Sequence, residues 1–380
     1  MIWQKHGEFD ERSADGKNPP PDMSSKLYLR FPGGCDYGWG VCGRYLSTEL
    51  PALLPSQVLS DGDPLSTQSG LPGAVFGPLE GATLHPWFQC RGEKNIGYVF
   101  LEQELQPEAV LEAKKLDLIL TGSTWCKERL DAAGITHTSV LIQGIDPKLF
   151  APLPPRKDDG TFVLYSAGKF ELRKGQDLVL KAFSILSKKY PDLRLLNVWE
   201  NQWPQLLSTM NASPHIRMAL HGPTWRDKIS FLCKANDIDP TRVMTCPLVP
   251  QSRLPALIAR TDLGVFPNRC EGGTNLALME YMACGKPVIA SFSSGHRDII
   301  RPENSLPLRT MNPFPTYGTD GSISARWEEP SIDELVATID HAYHHRDLLV
   351  PIARQAGEDM ARLTWHHTAE QATKAIRPLL

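Results

Sequence analysis

Asn268-Arg-Cys-Glu271-Gly-Gly-Thr-Asn275-Leu-Ala-Leu-Met-Glu280-Tyr-Met-Ala-Cys-Gly285-Lys-Pro-Val-Ile-Ala290 decides how the rest of the chain is read. Just upstream, Leu263-Gly-Val-Phe-Pro267 is an apolar run too short for a helix and closed by a proline, which predicts a buried strand. Gly272-Gly273 supplies a permissive loop. From Asn275 to Ala283 the residues are good helix formers, with Leu276, Met279 and Ala283 at the three-to-four spacing of a packed helix. Gly285 ends that helix, Pro287 follows, and Val288-Ile289 opens a further strand. A glycine pair therefore opens a helix at the C-terminal end of a strand. The first amides of such a helix have no partner within it, and its dipole favours an anion by roughly 0.3–1 kcal/mol. Gly272, Gly273, Thr274, Asn275 and Leu276 form this candidate anion cradle. Glu271 stands directly before it, and Glu280 follows on the helix.

The same half of the chain carries a second strand–turn–helix unit. Phe162-Val-Leu-Tyr-Ser166 predicts a strand and Gln176 to Lys189 an amphipathic helix. Between them lies Ala167-Gly-Lys169-Phe-Glu-Leu-Arg173-Lys174-Gly175. Two lysines beside a helix start are, taken alone, most often a solvated face. With the cradle and Glu280 in the same half, Lys169 and Lys174 become candidates for holding a diphosphate, each charge-assisted hydrogen bond being worth about 1.5–3 kcal/mol. Strands at Leu193 to Val198 and Val243 to Cys246, with a helix from Asp227 to Asn236, continue the alternation. From 162 to 300 this predicts a parallel, doubly wound sheet. Residues 305–328 read as loop, and helices are expected at 332–348, 352–363 and 368–376.

As a set, these motifs resemble the donor site of retaining GT-B glycosyltransferases, in particular glycosyltransferase family 4. That family carries Glu-Gly before the helix, a second Glu on it, and then Ala-x-Gly-x-Pro-Val-Ile, which Glu280 and Ala283-Cys-Gly-Lys-Pro-Val-Ile289 match. The resemblance implies that Glu271 touches the donor sugar, that Glu280 binds the ribose hydroxyls, and that the amides between them hold the diphosphate. The spacing departs from the pattern: one residue more separates the acids, so the usual position of the first Glu falls on Gly272. The expectation is that Glu271 keeps the role from a longer loop. Lys169 stands where the family has Arg, keeping the charge and losing the planar fork, and Lys174 fits the family Lys. By position, Leu248 and Val249 match the turn where the nucleobase lies. His296 and Arg297, in the turn after Ser291, are further candidates for phosphate or sugar, against a plain surface turn.

In the first half, Lys26-Leu-Tyr-Leu-Arg-Phe31 alternates as a strand and is followed by Pro32-Gly33-Gly34 and a helix from Val41 to Leu50. This turn lacks the Gly-x-Gly-x-x-Gly dinucleotide pattern. The resemblance places Gly33 and Gly34 over the donor diphosphate, while a tight turn alone is the bland alternative. Asp61-Gly-Asp63 looks like a metal-binding Asp-x-Asp, but Asp-Gly-Asp-Pro is turn composition. Ile96 to Leu101 predicts a buried strand ending at Glu102. Ligand groups collect at such strand ends, and the resemblance gives Glu102 a catalytic place beside the transferred sugar. The alternative is a surface Glu opening the next helix. His85, in the aromatic loop Leu84-His-Pro-Trp87, is a further candidate or a solvated loop histidine.

Composition bounds the function. With 380 residues, 41% hydrophobic and 22% charged, the chain is globular and long enough for two domains. The net charge of −3 argues against a nucleic-acid binder. Residues 1–150 hold 13 Lys/Arg and 19 Asp/Glu, the remainder 27 and 24, so a phosphate-bearing ligand favours the second half. Eight cysteines without zinc spacing or a signal-peptide pattern read as reduced thiols of a cytoplasmic protein. The expected architecture is α/β, with two Rossmann-like domains facing across a cleft. Its parts are an extension at 1–25, an acceptor domain at 26–152, a linker at 153–160, a donor domain at 161–362, and a crossing helix at 363–380 that packs back on the first domain. The expected reaction moves a sugar from a nucleoside-diphosphate sugar to an acceptor hydroxyl with retention and without a metal or other cofactor, as in polysaccharide biosynthesis. Its expected partners are the nucleotide sugar and a carbohydrate or glycosylated acceptor, with peripheral membrane contact open. The rival readings are a nucleotide-sugar-binding protein without catalysis, and a GT-B epimerase or phosphorylase.

Overall fold

A computed structural model describes residues 26–34, 37–201 and 203–380, so the expected extension at 1–25 lies outside the described residues. In the first half six strands form one parallel sheet: β1 Leu27–Leu29, β2 Ser56–Val58, β3 Leu71–Pro78, β4 Gly92–Val99, β5 Leu118–Thr121 and β6 Thr138–Val140, in the order β2-β1-β3-β4-β5-β6. The helices between them are α1 Gly38–Glu49, α2 Ala109–Ala113 and α3 Thr124–Ala132.

The second half repeats the plan with β7 Phe162–Lys169, β8 Leu193–Glu200, β9 Val243–Cys246, β10 Leu263–Phe266, β11 Val288–Ser291 and β12 Leu306–Leu308, ordered β12-β11-β10-β7-β8-β9. Its connecting helices are α4 Gln176–Lys189, α5 Pro204–Leu207, α6 Trp225–Ala235, α7 Leu254–Ile258 and α8 Leu276–Ala283. Every strand pair in both sheets is parallel, as helical crossovers require. The sheet is buried on both faces: Leu164, Leu195 and Val265 meet one apolar cluster, while Tyr165, Leu196 and Phe266 meet another.

One expectation fails here. Residues 305–328 are not loop: after β12 comes an antiparallel hairpin, β13 Met311–Tyr317 and β14 Ile323–Pro330. Pro313 and Pro315 disguise β13 in the sequence, because proline cannot donate to a ladder and is tolerated only on edge strands, which is where β13 lies.

Three helices close the chain: α9 Ile332–His344, α10 Leu349–Met360 and α11 Trp365–Ile376. Trp365, Ala369, Ala372 and Ile376 of α11 are buried with Leu27, Leu29 and Leu46 in a core of the first half. Backbone bonds from Ile145 to Leu363 and from Trp365 to Ile145 fix this return crossing. A side chain at Gly144 would meet the backbone at Thr364–Trp365, so the crossing needs that glycine.

Candidate active site

Where β10 ends, the chain turns through Pro267–Asn275 into α8, as the Gly-Gly pattern predicts. Asn275, immediately before the helix, takes φ 65° and thereby tips the loop into the helix start. Gly272 and Gly273 lie against the first half of the chain. A Cβ on Gly272 would come within 2.6 Å of the Leu101 amide nitrogen, and one on Gly273 within 3.0 Å of Gln143 Oε1. Ser123 Oγ donates to Gly272 O at 2.8 Å. No side chain fits at 272, the family position of the first acid, and the neighbouring carboxylate is that of Glu271.

Glu271 is 3% exposed. Its Oε1 accepts from Lys174 Nζ at 2.7 Å and from Asn268 Nδ2, and its Oε2 lies 3.1 Å from Arg173 Nη1. Burial alone would raise its pKa, but Lys174 and Arg173 outweigh burial and hold the carboxyl below its ordinary range. Its backbone N–H donates to Ser294 Oγ at 2.8 Å.

Arg173 is the residue that sequence reasoning missed. Its guanidinium is buried and meets three carboxylates: Glu171 at 2.6 Å, Glu102 at 3.0 Å and Glu271 at 3.1 Å. It also donates to Cys270 O at 2.8 Å. Burial opposes its charge, yet Glu102, Glu271 and Glu171 prevail and raise its pKa further. The available signal was Leu172-Arg-Lys174 in a tight turn closed by Gly175, whose φ of 72° suits glycine and whose Cβ would strike Pro267 O. This turn carries Arg173 and Lys174 to the β10–α8 loop. Lys169, at the end of β7, is more open: its side chain is 37% exposed, lies 3.8 Å from Glu171 Oε2 and sits over the Trp203 ring at 5.4 Å. Partial loss of solvent lowers its pKa, with Glu171 opposing.

Glu102 follows β4 at the C-terminal end of the first sheet, and Arg173 joins it to the second half. Its backbone O accepts from Trp327 Nε1 of the hairpin at 2.7 Å. Burial raises its carboxyl pKa, Arg173 opposes and Glu271 adds to the rise. The hairpin is itself fixed to the loop before α8. Glu328 N donates to Arg269 O at 3.2 Å, and the fully buried Arg269 bonds Asp177 and Glu329.

Other predicted residues gather around this centre. His296 is buried, with Nε2 3.2 Å from Asn275 Nδ2 and Nδ1 3.2 Å from Ser291 O. Burial lowers its pKa to about 4, so it is a neutral ring that holds Asn275. Thr274, in the loop, donates to Met279 Sδ of α8 at 3.0 Å, and Leu276 is the first residue of α8. Gly33 O accepts from Tyr37 Oη at 3.0 Å, and the Tyr37 ring meets Trp203 at 6.0 Å, which brings the Gly33–Gly34 turn towards Lys169. Leu248 N donates to Glu200 Oε2 at 2.6 Å, and Val249 packs on the apolar cluster behind α8. Glu280 is buried and accepts from Gln251 Nε2 at 2.5 Å. Burial raises its pKa to about 7, with the Gln251 hydrogen bond and Arg44 opposing.

Two candidates lie apart. His85 pairs with Glu112 of α2 at 3.4 Å, within the first half. Arg297 turns to Glu128 of α3 at 2.7 Å and fastens the two halves together. Asp63 caps a turn by accepting from Leu65 N at 2.9 Å, while Asp61 pairs with Arg30, the turn chemistry expected of that segment. Among the described residues no cluster of metal-binding side chains occurs, and no helix is long and apolar enough to cross a membrane.

Residues 152–306 match the family model for glycosyl transferases group 1. An uncharacterized glycosyltransferase, YqgM of Bacillus subtilis, is 27% identical over 184 residues, 48% of this chain and 44% of that protein. The chain spans about half the length of the curated relatives it matches. Among solved structures, sucrose-phosphate synthase of Thermosynechococcus elongatus aligns with a TM-score of 0.66 at 16% identity, over 93% of this chain and 99% of that one. Anabaena HepE, solved in complex with UDP and glucose, gives 0.63 at 14% identity, over 93% and 100%. At such identities the likeness is one of fold. Residues 152–306 thus resemble a glycosyl transferases group 1 domain, and the chain as a whole has the GT-B fold.

Proposed function

We propose that the protein transfers a sugar from a nucleoside-diphosphate sugar to an acceptor hydroxyl, with retention at the anomeric carbon and without a metal, as a cytoplasmic enzyme. The observation that carries this is the meeting of Glu271, Lys174 and Arg173 at the start of α8. Lys169, Lys174 and the first amides of α8 face the place a diphosphate would take, and such preset donors and charges act most strongly on charge that develops as the phosphate departs. Glu271, ionised and fixed by its two cations, lies against the donor sugar. Glu280 takes the ribose. Glu102, at the end of the opposite sheet, takes the proton of the acceptor hydroxyl as the new C–O bond forms and the sugar–phosphate bond breaks. Burial raises its pKa above the ordinary carboxylate value, which makes it a stronger base than a free carboxylate. The presence of UDP in the HepE complexes supports a nucleotide sugar as the donor.

The test is thermal melting with UDP, GDP or ADP in EDTA, followed by release of that nucleoside diphosphate from the corresponding sugar nucleotides. A ligand at about 100 times its Kd adds about 2.7 kcal/mol of stability. One diphosphate is expected to stabilise the protein, and Glu271→Ala to keep that shift while losing sugar transfer. Absence of any shift overturns the donor site. Full turnover by Glu271→Ala overturns its catalytic role.

A further inference from the structure

We propose that Arg44 of α1 is a positioning residue for the nucleoside: acting through Gln251, it sets the Glu280 carboxylate across the cleft and couples nucleotide binding to the approach of the two halves. The inference rests on Glu280 taking the ribose. Arg44 Nη2 donates to Gln251 Oε1 at 2.6 Å, and Gln251 Nε2 donates to Glu280 Oε1 at 2.5 Å. Gln251 and Glu280 are both buried, so the amide is held between a guanidinium on one side and a carboxylate on the other. An amide so placed has one orientation that satisfies both neighbours, with its oxygen towards Arg44 and its nitrogen towards Glu280. Without Arg44 only the Glu280 carboxylate holds that orientation, and the amide oxygen loses its charged partner. Glu280 Oε1 is thus held by Gln251, and a ribose diol would engage Oε2.

Arg44 is itself braced. Its guanidinium lies over the Tyr45 ring at 4.5 Å, Tyr45 Oη donates to Asp146 Oδ2 at 2.7 Å, and the Tyr45 ring stacks on Trp365 at 5.1 Å with an interplanar angle of 6°. Trp365 opens α11, the helix that returns to the first half. The relay therefore runs from the interdomain crossing through α1 to the ribose carboxylate. A shift of the halves that separates Arg44 from Gln251 removes one of the two contacts that fix the amide and loosens its hold on Glu280.

The groups facing Glu280 are Arg44 and Tyr45 from α1, Gln251, Tyr165 from β7 and, on its own helix, Cys284. Arg44 is the cation among them and favours the ionised form. Nucleotide affinity should rise with pH as Glu280 ionises, and the midpoint of that rise should move upward when Arg44 is removed.

The experiment measures UDP, GDP, ADP and inorganic pyrophosphate binding by calorimetry between pH 6 and 8, for the wild type, Arg44→Ala, Arg44→Lys, Glu280→Gln and the double variant Arg44→Ala/Glu280→Gln. Arg44 lies on the exposed side of α1, so its truncation leaves the fold intact. Arg44→Ala is expected to weaken the nucleotide roughly three- to tenfold while pyrophosphate binding stays unchanged. Arg44→Lys should restore part of the loss, and the effect should vanish in the Glu280→Gln background. A wild type that binds pyrophosphate but none of the three nucleotides overturns the Glu280 reading and this inference with it. A wild type that binds nucleotide while Arg44→Ala binds equally well, or loses pyrophosphate to the same extent, overturns this inference alone.

Discussion

Replacing Lys174 by Met removes one of the two cations that hold Glu271 and keeps a side chain of similar length. The lost contact is a charge-assisted hydrogen bond of 2.7 Å between groups that are 12% and 4% exposed. Breaking a buried ion pair costs about 3–5 kcal/mol when the remaining charge is left alone. Here Arg173 stays 3.1 Å from the other carboxylate oxygen and Asn268 still donates, so Glu271 is not abandoned. The expected loss is therefore that of one charged hydrogen bond, about 1.5–3 kcal/mol. Its pH dependence has a definite sign. Lys174 and Arg173 depress the Glu271 pKa in the folded state, so this carboxylate contributes stability above its unfolded pKa of about 4.3. That contribution fades as pH falls through the depressed folded value. Urea midpoints of the wild type, Lys174→Met, Glu271→Gln and the double variant at pH 7 and at pH 3 give the coupling energy. It should exceed about 1 kcal/mol at pH 7 and shrink on acidification. A coupling below about 0.3 kcal/mol at pH 7, the ordinary scatter of independent sites, would refute the claim that these two side chains are a unit.

Two further substitutions test the loop and the hairpin. Gly295→Ala places a methyl group against the Gly273 carbonyl oxygen and near the Glu271 carbonyl at 2.9 Å, where backbone must move. It should cost about 1–3 kcal/mol in thermal unfolding and displace the anion cradle, and an unchanged melting temperature counts against that packing. Trp327→Phe removes the indole donor to the Glu102 carbonyl while keeping an aromatic ring. Transfer rate should fall severalfold with nucleotide affinity unchanged, the stability cost being about 1 kcal/mol. Equal loss of nucleotide affinity would argue against a role confined to Glu102.

What the sequence made legible was local. The turn from β10 into α8 announces itself through Gly272-Gly273, the helix-forming run after Asn275 and the stop at Gly285, because each depends on neighbours only a few residues away. Partners across the cleft left no such trace. Arg173 stood in plain view beside Lys174, but its value lies in Glu102, 71 positions earlier, and Glu271, 98 positions later. Arg44 and Gln251 are 207 residues apart, and neither belongs to a recognisable motif. His85 shows the converse: an aromatic loop gave it a functional look, while its fold partner is Glu112. The hairpin was hidden by Pro313 and Pro315, which argue against strand everywhere except on an unpaired edge.

The charges around Glu271 explain how a site can be both built and receptive. Glu102, Glu171 and Glu271 face Lys169, Arg173 and Lys174, so the patch is close to neutral as it stands. A buried cluster with three cations and no carboxylates would repel itself and destabilise the loop, and one with unpaired acids would reject a phosphate. The members are unequally held. Arg173 is locked by three carboxylates and Lys174 by a 2.7 Å contact, while Lys169 keeps only a 3.8 Å approach to Glu171 and more than a third of its surface in solvent. On the proposed function, an arriving diphosphate would meet Lys169 and the amides of α8 first, with only the 3.8 Å Lys169–Glu171 approach to give up. Lys174 and Arg173 keep Glu271 ionised and in place. On that proposal the labour is divided between a cation that would receive the ligand and cations that position the acid beside it, and a strand end, a tight turn and a helix start bring both together.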